Sequence, residues 1–164
     1  MCLANELQHG DDSLTVADLT FRKVDGGNCT DTLVFTGAGE IIDFTAIADN
    51  KVTGIEAFDV AGTGNDTLVI PALDIFHFSD TPNPDFTGAD SHKSLVIYGD
   101  AGDTLQLDDF DPDGGGPVAG YTWQLAASDQ HLDGSAGGGF DLYNLVRSSV
   151  VLASVAVDAD MLVV

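Results

Sequence analysis

The triplet Asp-Thr-Leu occurs three times, at Asp31–Leu33, Asp66–Leu68 and Asp103–Leu105, and it constrains the fold more than any other feature of the chain. The steps are 35 residues (31 to 66) and 37 residues (66 to 103). Each triplet follows a glycine-containing turn and opens a short run rich in Val, Ile, Leu, Phe and Thr. A recurring unit of this length predicts a stack in which each unit buries its apolar face on the next. In such a stack the Asp caps the turn and the Leu points inward. The other runs, among them "EIIDFTAI", "GIEAFDVAG", "DTLVIPALDIFHFSD" and "KSLVIYGDAG", are also strand-length and mostly end in Gly, Asp or Asn. No long window sustains helical periodicity, and 19 glycines punctuate the chain. The fold class is therefore all-β. We expect a β-solenoid, a parallel β-roll or β-helix, with a β-rich C-terminal cap; a β-sandwich is the alternative. The expected organisation is an N-terminal arm over 1–13, a repeat region over 14–110 and a cap over 111–164.

Charge narrows the function. The 164 residues include 27 Asp+Glu against 5 Lys+Arg, a formal charge of −22. Such a surface repels nucleic acid and anionic lipid, so neither is expected as a partner. No stretch is long and apolar enough for membrane insertion. Self-repulsion of this size destabilises a compact chain unless cations offset it. Calcium is the natural candidate, because it takes carboxylate and carbonyl oxygens; an acidic surface kept soluble in a salty medium is the alternative. The two cysteines, Cys2 and Cys29, have no metal-ligand spacing, and the sequence leaves open whether they bridge.

Three segments carry the calcium expectation. "GGNCTDTLV" and "AGTGNDTLV" each match the nine-residue calcium-binding unit G-G-x-G-x-D-x-U-x at all but one position, with Cys29 and Ala61 replacing glycines. They nominate Asp31 and Asp66 as ligands, with a plain turn cap as the alternative. "GDAGDTLQL" is one residue short of the unit and nominates Asp100 and Asp103. "DFDPDG" places Asp109, Asp111 and Asp113 at alternate positions before Gly114, like the opening of an EF-hand loop. The glutamate expected at loop position 12 is replaced by Gly120, so this is an isolated acidic loop rather than an EF-hand. No nucleophile elbow, zinc-protease motif, phosphate loop or dinucleotide fingerprint is present, and paired carboxylates carry little information in so acidic a chain. No enzymatic activity is expected. His77, between Phe76 and Phe78, reads as a solvent-facing residue on a strand.

From Leu14 onward the chain resembles a module near the C-termini of large bacterial repeat-in-toxin-like surface proteins and adhesins. Ile55, Asn65–Leu68, Gly99–Asp103, Trp123 and Tyr143 occupy the positions that carry the likeness. The resemblance implies calcium, type I secretion and surface attachment or matrix building. The closing "VAVDADMLVV", an acidic residue followed by apolar ones, is the kind of uncleaved C-terminal signal such substrates carry; a last strand is the alternative. The expectation is thus an extracellular or cell-surface, calcium-binding structural protein that self-assembles as a homopolymer. An adhesin module binding a surface glycan is the alternative.

Overall fold

In the computed structural model the described residues are 10–62, 64–79, 93–108, 110–111, 116–117, 120–132 and 138–164. The chain is all-β, 51% strand and 6% helix. The strands are β1 (Ser13–Val16), β2 (Val24–Asp25), β3 (Thr32–Phe35), β4 (Ile41–Asp43), β5 (Val52–Thr53), β6 (Ala57–Asp59), β7 (Thr67–Pro71), β8 (Lys93–Tyr98), β9 (Thr104–Asp108), β10 (Phe110–Asp111), β11 (Gly116–Pro117), β12 (Tyr121–Gln130), β13 (Phe140–Arg147), β14 (Val150–Asp158) and β15 (Leu162–Val163).

Most strands belong to two main sheets, while β2 pairs with β5 in parallel and β10 with β11 antiparallel, apart from both. One has seven strands in the order β1-β3-β6-β8-β14-β13-β12, and the other has four in the order β15-β9-β7-β4. From β1 to β14 every neighbouring pair in the first sheet is parallel, and so is every pair in the second. The registers coincide from strand to strand. Ser13, Thr32, Ala57, Val96 and Ala156 form one row. Ile41, Thr67, Thr104 and Leu162 form another. Antiparallel pairing within the main sheets is confined to β12–β13–β14. The sheets run across the boundary expected at 110/111, because β14 joins β8 and β15 joins β9 in parallel.

The core lies between the sheets. In β3 the buried positions alternate, Leu33 and Phe35 inward, with Thr32 and Val34 less buried. All three triplet leucines, Leu33, Leu68 and Leu105, are fully buried. Each such burial stabilises by about 1.5–3 kcal/mol, and the common register stacks them on other coils' apolar residues. Phe44, Phe58 and Phe78 form an aromatic knot: Phe44 and Phe58 stack at 5.1 Å, and Phe78 meets them edge-on at 4.8 and 5.0 Å. Phe78 reaches that knot from a single helical turn, Ile75–Phe78. His77 therefore stands on a helical turn and not on the strand its alternation with phenylalanine predicts. Pro71 ends β7, and buried Ile75 and Phe78, three residues apart, suit a helical turn better than a strand.

Each turn before a triplet has a residue at positive φ, two places before the Asp in the first two turns and directly before it in the third. Cys29, Gly64 and Gly102 have φ of 100°, 121° and 116°. At Gly64 a Cβ would lie 2.5 Å from the Gly39 backbone nitrogen of the adjacent coil, so glycine is required there. Cys29 adopts the same left-handed region with a side chain, at a cost of about 1–2 kcal/mol. It is disulfide-bonded.

Candidate functional site

The parallel registers place acidic residues in two columns, one at the start of each main sheet. In the first column the Asp12 N–H donates to Asp31 Oδ1 at 2.8 Å, and the Asp31 N–H donates to Glu56 Oε2 at 2.8 Å. In the second the Glu40 N–H donates to Asp66 Oδ1 at 2.6 Å, and the Asp66 N–H donates to Asp103 Oδ1 at 2.8 Å. Each carboxylate thus accepts the amide of the equivalent residue one coil earlier. The ordinary ladder bonds run alongside: the N–H groups of Thr32, Ala57 and Val96 donate to the carbonyls of Asp12, Asp31 and Glu56. Thr67, Thr104 and Leu162 do the same to Glu40, Asp66 and Asp103. The aspartates cap backbone amides from the preceding strand of the sheet, and Asp103 also caps one in its own turn. Charge-assisted bonds of this kind are among the stronger ones, worth about 1.5–3 kcal/mol each.

The equal spacing of the triplets suggests a single column, and here the structure corrects the sequence reading. Asp66 and Asp103 are stacked neighbours, but Asp31 belongs to the other column. The steps between stacked residues are 19 and 25 residues in the first column and 26 and 37 in the second, so the 35-residue step from 31 to 66 does not join stacked neighbours. Asp12, Glu40 and Glu56 also belong to the columns, and none of them was nominated. The signal they share is an acidic residue, any residue, then an apolar one: Asp12-Ser-Leu14, Glu40-Ile-Ile42 and Glu56-Ala-Phe58, like the three triplets.

The nominated residues divide as follows. Asp31, Asp66 and Asp103 are buried amide acceptors. The Asp100 N–H donates to Asp103 Oδ2 at 2.9 Å, and its carbonyl accepts from the Asp103 N–H at 3.1 Å. The backbone of Asp111 pairs with Gly116, while Asp109 and Asp113 lie outside the described residues.

Satisfaction of the buried oxygens is uneven. Asp103 uses both oxygens, one for the Asp66 amide and one for the Asp100 amide. Asp31 Oδ2 and Asp12 Oδ2 are buried and have no hydrogen-bond partner among the described residues. Burial pushes the Asp31 carboxyl up to about 6; the Asp12 amide opposes this, while the charges of Asp12 and Asp11 add to it. Removing a carboxylate oxygen from water without a compensating donor is costly, and a proton or a cation relieves that cost.

A second constellation lies elsewhere. Asp49, Asp74 and His77 each offer a ligand atom within 4.8 Å of the others. His77 Nδ1 lies 3.8 Å from Asp49 Oδ2, with both side chains part-exposed, whereas Asp74 is buried. Phe76 is half-buried against the core. Among the described residues no helix is long and apolar enough to cross a membrane. No family model, no curated protein and no solved structure matches this chain.

Proposed function

We propose that this chain is a non-catalytic structural protein of the bacterial cell surface or extracellular matrix, built as a short parallel β-solenoid that binds calcium and associates with copies of itself. The observation that carries the calcium reading is the pair of buried, unpartnered oxygens, Asp12 Oδ2 and Asp31 Oδ2, in adjacent coils of one column. A hard divalent cation between them supplies the positive partner that the backbone does not. Calcium bound there also offsets part of the −22 charge.

The outer strands of the four-stranded sheet, β4 and β15, support self-association. Open strand edges are templates for pairing. Ile41, Leu162 and Val164, on or beside those edges, are 73%, 60% and 63% exposed. Three of the five cationic residues, Arg22, Lys23 and Lys51, line one surface depression of about 480 Å³, which attracts the acidic face of a neighbouring copy. The repeat-in-toxin-like resemblance and the acidic-then-apolar C-terminus favour export by a type I-like route with an uncleaved C-terminal signal.

Light scattering during a calcium titration from a chelator-treated start tests this reading. Large particles that disperse on adding chelator are the expected outcome. A flat trace removes calcium-driven assembly, and a calcium affinity unchanged by Asp31→Asn removes the site.

A further inference from the structure

We infer that Asp49, Asp74 and His77 form a site for a borderline divalent cation of the zinc class, distinct from the oxygen-only calcium chemistry at Asp12 and Asp31. The three ligands come from two elements brought together by the fold. Asp49 opens a 3-10 turn, Asp49–Lys51, in which the Lys51 N–H donates to the Ala48 carbonyl at 2.9 Å. Asp74 precedes the helical turn Ile75–Phe78, where the N–H groups of His77 and Phe78 donate to its carbonyl at 2.8 and 3.1 Å. That turn is anchored by buried Ile75 and Phe78, and the Ile55 N–H donates to the Phe78 carbonyl at 2.8 Å. With Ile75 and Phe78 directed into the core, His77 is left facing outward beside Asp49. Asp74, 2% exposed, makes no capping hydrogen bond to its own helical turn.

The donor set decides the metal class. An imidazole nitrogen with two carboxylate oxygens suits zinc and its borderline relatives, while calcium takes oxygen ligands alone. Tetrahedral zinc, with ligands about 2.0–2.2 Å away, holds its donor atoms about 3.3–3.5 Å apart. The 3.8 Å between His77 and Asp49 closes by small rotations of two part-exposed side chains. A plain ion pair between His77 and Asp49 is the simpler reading of the same contact, and the zinc titration below separates the two. Three protein ligands leave a fourth position open, for water or for a donor from a neighbouring molecule. Binding requires neutral imidazole, so protons and zinc compete for the same His77 nitrogen.

The test keeps millimolar calcium present, so that oxygen-only sites are occupied. Chelator-treated protein is returned to that buffer and titrated with zinc by calorimetry, and with cobalt(II) by visible absorbance. One saturable site, with cobalt bands that zinc abolishes, is expected. His77→Ala and Asp49→Asn each lower zinc affinity by about tenfold or more, and His131→Ala leaves it unchanged. The nitrogen NMR resonances of His77 in the unsubstituted protein shift on adding zinc, which reads the contact without any risk to folding. No saturable zinc binding over calcium, wild-type affinity in His77→Ala, or unmoved His77 resonances overturns the assignment. None of these outcomes bears on calcium binding at Asp12 and Asp31.

Discussion

Asp31 and Asp103 belong to different acidic columns, as the second member of one and the third of the other, and both have 0% relative exposure. Each accepts the amide of the preceding coil at 2.8 Å. They differ in the second oxygen. Asp103 Oδ2 takes the Asp100 amide from its own turn, while Asp31 Oδ2 has no donor and the Asp31 carboxyl is pushed up to about 6. Burial alone therefore does not set the cost of a carboxylate inside this fold; the number of donors aimed at it does. The "GDAGD" turn, one residue shorter than the calcium-type unit, returns the Asp100 amide to the carboxylate. The "GGNCTD" turn, with Cys29 in place of a glycine, does not. By this comparison the Asp103 carboxylate is satisfied by the backbone, whereas one oxygen of the Asp31 carboxylate is buried without a donor.

The largest effect is expected from breaking the satisfied side. Asp103→Ala strips the acceptor from two backbone amides, those of Asp66 and Asp100. It should lower stability by about 2–6 kcal/mol in denaturant unfolding, with Asp103→Asn losing less because one oxygen remains. The unsatisfied side should respond in the opposite sense. The folded-state pKa of Asp31 lies above its unfolded value, so between about pH 4 and 6 the native state holds more protons than the unfolded one. Wild-type stability therefore falls as pH rises through that window, and the loss is complete above it. Asp31→Asn keeps an acceptor for the Asp12 amide and removes the charge. In chelator it should be more stable than wild type by up to about 3 kcal/mol above pH 6, with the difference vanishing below about pH 4. Calcium should close that gap by stabilising the wild type alone. Melting curves of the two proteins across pH, with and without calcium, check both statements; a constant difference would remove the buried charge as its cause. The smallest effect is expected at Asp25, an exposed carboxylate 2.8 Å from the Lys23 ammonium. Solvent screening should keep the Asp25→Asn change within about 0.5 kcal/mol, and a larger loss would show that exposure is not what separates these carboxylates.

Much of the molecule was legible because its signals are local. The leucines of the triplets face the core as expected, since in a strand a residue's side is set by its parity. The aspartates cap turns, and the left-handed positions before them fall at Gly64 and Gly102 as the glycines indicate. Less legible was the short helical turn at Ile75–Phe78, where the alternation of Phe76, His77 and Phe78 reads as a strand. Tertiary packing overrides it, because burying both Ile75 and Phe78 against the aromatic knot requires helical spacing. The segment "EIIDFTAI" likewise leaves its strand after Asp43, whose carboxylate accepts the Thr45 amide at 2.9 Å and caps a 3-10 turn.

By itself the sequence determined the class of element, the spacing of turns, the inward leucines and a charge that demands counter-ions, because these depend on neighbours a few residues away. Only the tertiary structure decided which acidic residues stack on which. The steps within the two acidic columns range from 19 to 37 residues, so equal spacing along the chain does not mean adjacency in space. The tertiary structure also decided which carboxylate oxygens meet an amide and which are buried without one. It brought His77 beside Asp49 and Asp74, since a ligand set drawn from two separate turns exists only where the packed core holds those turns together.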